Sequence, residues 1–251
     1  AARGQARVEH ALKAGSVPAG NRRVIVTAEL LPQTAARHIA KAIEQAIAGR
    51  GRASVMLAGG STPRAVHRQL ALNPRLPWDK VEIFFGDERA VPPGDPQSNY
   101  RMARESLLDA VPIPLNQVHR MLAERPDREA AADEYARRLP ERLDLIILGV
   151  GEDGHTASLF PGSPALREMA RKVVAVTGPK APLHRLTVTP PVIAAAREKI
   201  ILVSGAGKAG AVAQALEGPD QPVQCPAQLA RDGIWIMDRA AASGLRHQPP
   251  R

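Results

Sequence analysis

Six short apolar runs, each leading into a polar, turn-forming stretch, constrain this chain more than any other feature. They are RVIVTA (23–28), SVMLAGG (54–60), VEIFFGD (81–87), DLIILGVG (144–151), KIILVSG (199–205) and GIWIMD (233–238). The runs are mostly continuous rather than alternating. A continuous Val/Ile/Leu run predicts a strand covered on both faces, the habit of a parallel sheet between helical layers. Helical patterns fall between the runs, near 33–48, 63–72, 99–109, 127–138, 191–197 and 207–217. In the first of these, Ala36, Ile39, Ala40, Ile43, Ala46 and Ile47 form one apolar stripe that Gly49 and Gly51 terminate. Strand and helix alternating at roughly 30-residue intervals predict an α/β fold, a doubly wound and mainly parallel sheet with helices on both faces. A ligand of such a sheet sits in the crevice beyond the carboxyl ends of the strands, so the turns that follow the runs are where chemistry is expected.

The 251 residues, 44% of them hydrophobic, suit one large core. A single domain is therefore expected over 23–238, between a basic leader (1–22) and a small, Pro-rich tail (239–251) expected to be flexible. No apolar run reaches the roughly 20 residues that a membrane-crossing helix needs. The leader has no apolar stretch of signal-peptide length, which makes the cytoplasm the expected location. Cys225 is the one cysteine, which excludes an internal disulfide, and it reads as a small buried hydrophobe. The formal charge of +9 raises the question of nucleic acid, but residues 1–23 contribute +4 and residues 239–251 contribute +3, leaving +2 for the body. With three Phe, two Tyr and two Trp for stacking, such a body lacks a nucleic-acid footprint. Neither nucleic acid nor membrane is expected as a partner. A small molecule is, bound by a monomer or small homo-oligomer.

Four turns carry the candidate site. Gly59-Gly60-Ser61-Thr62-Pro63 offers glycines for close backbone approach, a hydroxyl to cap the next helix and a proline for its first turn. Its free N–H groups suit a phosphate ester, although an ordinary capped turn has the same look. Gly86-Asp87-Glu88-Arg89 packs three charges against the end of an apolar strand, where they must meet each other or a ligand. The Arg89 fork suits a phosphate or a developing oxyanion, and a structural Asp87–Arg89 pair is the alternative. Ser98-Asn99 reads as the cap of the following helix, with a side-chain contact to ligand as a weaker alternative.

Gly149-Val150-Gly151-Glu152-Asp153-Gly154-His155 matches G-x-G-x-x-G literally. A dinucleotide reading fails, because Pro161 leaves little room for a helix and no acidic residue lies in 169–180 to hold a ribose. The glycines more plausibly turn backbone amides toward a substrate oxygen and set His155 at the crevice as a proton acceptor. Ser204-Gly205-Ala206-Gly207-Lys208 is not a Walker loop, yet Lys208 is a candidate phosphate contact as well as an ordinary surface lysine. Arg185 in HRLTVTPP is a weaker candidate of the same kind. With no H-E-x-x-H, no Cys/His metal spacing and no EF-hand, no metal or other cofactor is expected. The lack of G-x-S-x-G disfavours a covalent serine mechanism.

Together the segments LAGGSTPRAV, FFGDERAVPPGDPQSNYRMARESLL, LGVGEDGHTASLFPG and RLTVTPP resemble, in order, the signature blocks of the 6-phosphogluconolactonase family. The resemblance covers about 54–238. It implies a Rossmann-like enzyme that hydrolyses 6-phosphoglucono-1,5-lactone to 6-phosphogluconate without metal, the second step of the oxidative pentose phosphate pathway. It makes His155 the general base with Asp153 orienting it, assigns Asp87 and Arg89 to the substrate site, and matches Gly59, Gly60, Ser61, Thr62 and Lys208 to ligand-binding blocks. Ala58 stands where the family commonly has Ser, and Cys225-Pro226 replaces a bulkier apolar residue before Pro. Two other readings remain at this point. One is a hexosamine-phosphate deaminase or isomerase, which resembles G-x-G-x-D-G-H but continues I-A-F-N-E-P and carries Asp-Glu-Tyr in place of Asp87-Glu88-Arg89. The other is a non-catalytic sugar-phosphate sensor, which would be expected to have lost His155 or Arg89.

Overall fold

The structure, a computed structural model, describes residues 22–246, so residues 1–21 of the leader and 247–251 of the tail lie outside the described part. Each apolar run forms a strand: β1 (Arg23–Val26), β2 (Ala53–Leu57), β3 (Val81–Phe85), β5 (Leu145–Gly149), β8 (Glu198–Val203) and β9 (Ile234–Asp238). They pair in parallel as one six-stranded sheet in the order β1-β9-β8-β5-β2-β3. Alternate side chains enter opposite layers. Met56, Phe84, Ile146, Leu148, Ile201 and Met237 point into one buried cluster, whereas Val55, Leu57, Ile83, Phe85, Ile147, Ile200 and Ile236 point into the other. Helices α1 (Leu31–Arg50), α2 (Ser61–Ala71) and α3 (Asn99–Ser106) cover the second face, while α4 (Arg128–Arg138), α5 (Pro190–Ala195) and α6 (Ala209–Glu217) cover the first. Gly51 closes α1 at φ 79, donating its N–H to Ile47 O. No described helix is long and apolar enough to cross a membrane.

The chain reverses direction across the sheet between β2 and β5: β2 leads outward to β3, and β5 leads the other way to β8 and β9. Loops leaving two neighbouring strand ends in opposite directions open a crevice there. A second sheet, unread in the sequence, closes that crevice from one side. It is antiparallel, ordered β4 (Asp87–Arg89), β7 (His184–Val188), β6 (Val173–Thr177). Because β4 follows β3 with only Gly86 between, the central sheet delivers Asp87 and Arg89 directly onto this smaller one.

The expected flexible tail from 239 begins too early. Ala241–Gly244 form a 3-10 turn in which Ala241 and Ala242 are 0% and 1% exposed, and Leu245 is buried beside them. Small apolar side chains fit against α6 there, and burying them stabilises what a polar, frayed segment could not. Capping of α2 also differs from expectation. The helix starts at Ser61 with Gly60 as its N-cap at φ 105, a conformation for glycine, and neither Ser61 nor Thr62 supplies a side-chain cap.

Candidate active site

The crevice at the β2/β5 reversal is an open cleft of about 200 Å³ lined by Gly59, Gly60, Asp87, Arg89, Asn99, Gly149, Gly151, His155, Ala157, Arg185 and Lys208 among others. Of the ten residues singled out in the sequence, seven reach this lining. Ser61, Thr62 and Asp153 do not, and Asp153 takes part through His155 instead.

His155 is set by its own turn. Asp153 Oδ1 accepts from the His155 backbone N–H at 3.1 Å and lies 2.5 Å from Nδ1. Burial raises the Asp153 carboxyl, but the two hydrogen bonds from His155 and the imidazole charge outweigh it and leave the group below the usual carboxylate range. A carboxylate at Nδ1 fixes the neutral ring as the Nδ1–H tautomer, which leaves the lone pair on Nε2. The turn closes through Gly151 N–H to His155 O at 2.8 Å and Gly154 N–H to Gly151 O at 3.1 Å. Those two amides are therefore consumed in holding the loop, contrary to the expectation that this turn's glycine amides face a substrate. No long helix follows, in keeping with the rejected dinucleotide reading.

Asp87 and Arg89 do not hold each other. Asp87, 7% exposed, accepts from Asn99 Nδ2 at 3.0 Å and from Ser158 Oγ at 2.6 Å. Arg89 donates from Nη1 to Gln97 O at 2.5 Å, while its buried Nε has no partner among the described residues. A buried guanidinium N–H without an acceptor is costly unless a ligand supplies one. On the neighbouring strand, Arg185 faces Arg89 in register and is tethered by Pro182 O at 3.0 Å and Lys180 O at 3.1 Å. Burial lowers the Arg185 proton affinity, nearby Asp87 raises it and Arg89 lowers it. Lys208 adds a third cation from the turn after β8, with no ion pair among the described residues. Of the lining residues, Gly60 has an N–H that donates to no described acceptor, and neither do those of Ser61 and Thr62 next to it in the chain, as expected for the unsatisfied first turn of a helix. Three cations and a helix start that opens on Gly60, against one carboxylate, make the cleft receptive to anions.

Several contributors escaped the sequence reading. Glu88, 4% exposed, is an organiser rather than a ligand contact. Its carboxylate accepts from the backbone N–H groups of Arg89, Asn99 and Tyr100, each at 2.8 Å, and from Ser98 Oγ at 3.0 Å. Burial raises its pKa and those hydrogen bonds oppose the rise. Ser98 caps α3 as expected, accepting from Arg101 N. Ser158 braces Asp87, and left-handed Ala157 (φ 49) turns the chain so that His155 and Ser158 serve the same cleft. Asp238 holds the Lys208 turn by accepting from Ser204 Oγ at 2.5 Å and from Gly205 N at 2.9 Å. An acid after a turn glycine and a strand-terminal Asp were visible in the sequence, but Ser158 carried no signal apart from its place near His155.

Known proteins with this arrangement agree on the family. A family model described as glucosamine-6-phosphate isomerases/6-phosphogluconolactonase matches residues 26–236. A 6-phosphogluconolactonase of Streptomyces coelicolor is 42% identical over 239 residues, covering 86% of this chain and 91% of that protein. One of Mycobacterium tuberculosis is 42% identical over 235 residues, covering 86% and 95%. Among solved structures, the 6-phosphogluconolactonase of Trypanosoma cruzi superposes with a TM-score of 0.80 at 27% identity, covering 92% of this chain and 99% of that one. A monomeric glucosamine-6-phosphate deaminase at 23% identity and a TM-score of 0.79 shares the fold. With the match running from β1 into β9 and relatives this similar over nearly their full length, the chain belongs to the glucosamine-6-phosphate isomerase/6-phosphogluconolactonase family.

Proposed function

We propose that the chain hydrolyses 6-phosphoglucono-1,5-lactone to 6-phosphogluconate, the ring-opening step of the oxidative pentose phosphate pathway, in the cytoplasm. The observation that carries this reading is the convergence on one cleft of a carboxylate-oriented imidazole and a guanidinium with an unpartnered buried N–H. His155 Nε2 accepts a proton from water as the water oxygen adds to the lactone carbonyl carbon. Arg89 donates to the oxyanion that forms. Collapse of the tetrahedral intermediate breaks the bond to the ring oxygen, which takes the proton back from the imidazolium and leaves as a hydroxyl. The phosphate is gripped by Lys208 and the amides of Gly60 to Thr62, with Arg185 between the two ends. General-base help of about 10²–10⁴ and an oxyanion donor of about 10²–10³ suffice for an ester that already hydrolyses slowly in water.

His155→Ala is expected to lower kcat by about 10²–10⁴ while leaving phosphate binding intact. The assay generates the lactone in situ and follows acid release against the spontaneous background. Near-full activity in the variant would remove His155 as base. Ammonia release from glucosamine 6-phosphate by the unaltered protein, with no acceleration of lactone hydrolysis, would replace the reading with the deaminase one.

A further inference from the structure

One aromatic ring touches both walls of the cleft. The Phe160 centroid lies 4.8 Å from that of His155, with the ring planes tilted by 47°, and 5.3 Å from the Arg185 guanidinium carbon. The side chain is buried, 8% exposed, and forms no part of the cleft lining. Its seat is made by an absence: a Cβ on Gly178, in the loop between β6 and β7, would lie 3.0 Å from Phe160 Cε2 and 3.1 Å from Arg185 Nε. Any larger residue at 178 would displace the ring and the guanidinium together.

His155 belongs to the turn after β5 and Arg185 to β7, so no backbone hydrogen bond ties them to one another. The ring is their common surface. Its quadrupole attracts cations, and His155 becomes one only while it holds the transferred proton. The other groups facing His155 act through charge. Asp153 contacts Nδ1, Asp87 and Arg89 come from β4, Arg185 from β7 and Lys208 from the turn before α6. Glu152 packs against Gly207 beside that turn, and buried Cys225 supports Gly154 from below.

We propose that Phe160 is a positioning residue of the hydrolytic site: its ring seats the His155 imidazole and the Arg185 guanidinium against one surface and favours the protonated imidazole as it forms. The proposal rests on the reading of His155 as general base, and its test separates the two. The dependence of kcat/KM on pH is measured for the unaltered protein, Phe160→Leu, which keeps apolar volume without a ring, and Phe160→Tyr, which keeps the ring. Loss of the ring is expected to move the acid-limb midpoint down by about half a pH unit and to raise KM as Arg185 loosens, while Phe160→Tyr stays near the unaltered protein on both counts. If Phe160→Leu does not fold, Phe160→Met provides the ringless variant. A ringless variant with unmoved midpoint and KM, whatever its thermal stability, overturns the proposal, as does a Tyr variant that fails as the Leu variant does. Activity surviving in His155→Ala instead overturns the base reading on which the proposal stands.

Discussion

Gly151 shows how little freedom the turn that carries His155 has. A Cβ there would collide with His155 Nδ1 and Cε1 and with Asp153 Oδ1, the atoms that define the imidazole's orientation. Gly151→Ala is therefore expected to lower kcat/KM by about 10²-fold, the usual effect of displacing a reacting group by an ångström. Gly151 is buried and Val150 beside it belongs to one of the cores, but the colliding atoms are the ends of two partly exposed side chains that can swing aside, so the thermal midpoint should move little; a variant with full activity would show that the turn tolerates the shift. At this scale the sequence was informative wherever a residue type has few other uses. Glycines clustered after a strand, and a histidine two residues from an aspartate, point to chemistry by themselves. Ser158 and Phe160 do not, because their roles consist of contacts with Asp87 and Arg185, far away in the chain, whereas Asn99 was open to a ligand contact but not to its bond with Asp87. The capping role given to the hydroxyls of this turn was misplaced for a related reason: a hydroxyl near a helix start is a common cap, and here Gly60 takes that place.

Among elements, α3 depends most on a single side chain. Glu88 supplies acceptors to the N–H groups of Asn99 and Tyr100 and to Ser98 Oγ, so one carboxylate provides most of the bonds that anchor the start of this helix to β4, the Asn99 side chain adding its bonds to Asp87. Glu88→Ala leaves those buried donors unpaired and is expected to cost about 3 kcal/mol, at about 1–3 kcal/mol for each unsatisfied group with partial relaxation. Urea titration should show a lower midpoint at unchanged slope, with substrate affinity falling as Asn99 shifts. An unaltered midpoint would mean that water replaces the carboxylate freely. The six parallel strands and six helices were legible because each combines a continuous apolar run or an apolar stripe with local turn signals. The antiparallel sheet was not: β4 has three residues, and β6 and β7, with five each, sit among prolines and charges. Their pairing is non-local, and β4 and β7 carry charged residues (Asp87, Glu88, Arg89, Arg185) where the legible strands carry apolar ones.

Stability of the molecule as a whole should carry the imprint of a histidine the reaction does not use. His67, fully buried in α2, lies with Nδ1 3.2 Å from Ser106 Oγ. Ser106 donates its own proton to Met102 O, so the Nδ1–H is the donor in that contact, and Nε2 is left without a partner among the described residues. Burial depresses this imidazole to about 4. The unfolded chain, near 6.5, binds the proton first, so the stability held by neutral His67 is fully present above about pH 6.5 and drains away as pH falls toward 4. Between pH 7 and 5 the loss is expected to be about 2 kcal/mol, read as a falling urea midpoint that flattens in His67→Gln; an equally steep fall in that variant would assign the slope elsewhere. The boundaries of the ordered body were only partly legible, since a run of small residues such as 240–245 looks polar and loose until α6 is there to receive it. The register that sets Arg89 opposite Arg185 has a last consequence. Ring opening turns a neutral ester into a carboxylate among cations already held against their mutual repulsion, so the acid is expected to be gripped more firmly than the lactone it came from and to compete with it for the cleft as product accumulates.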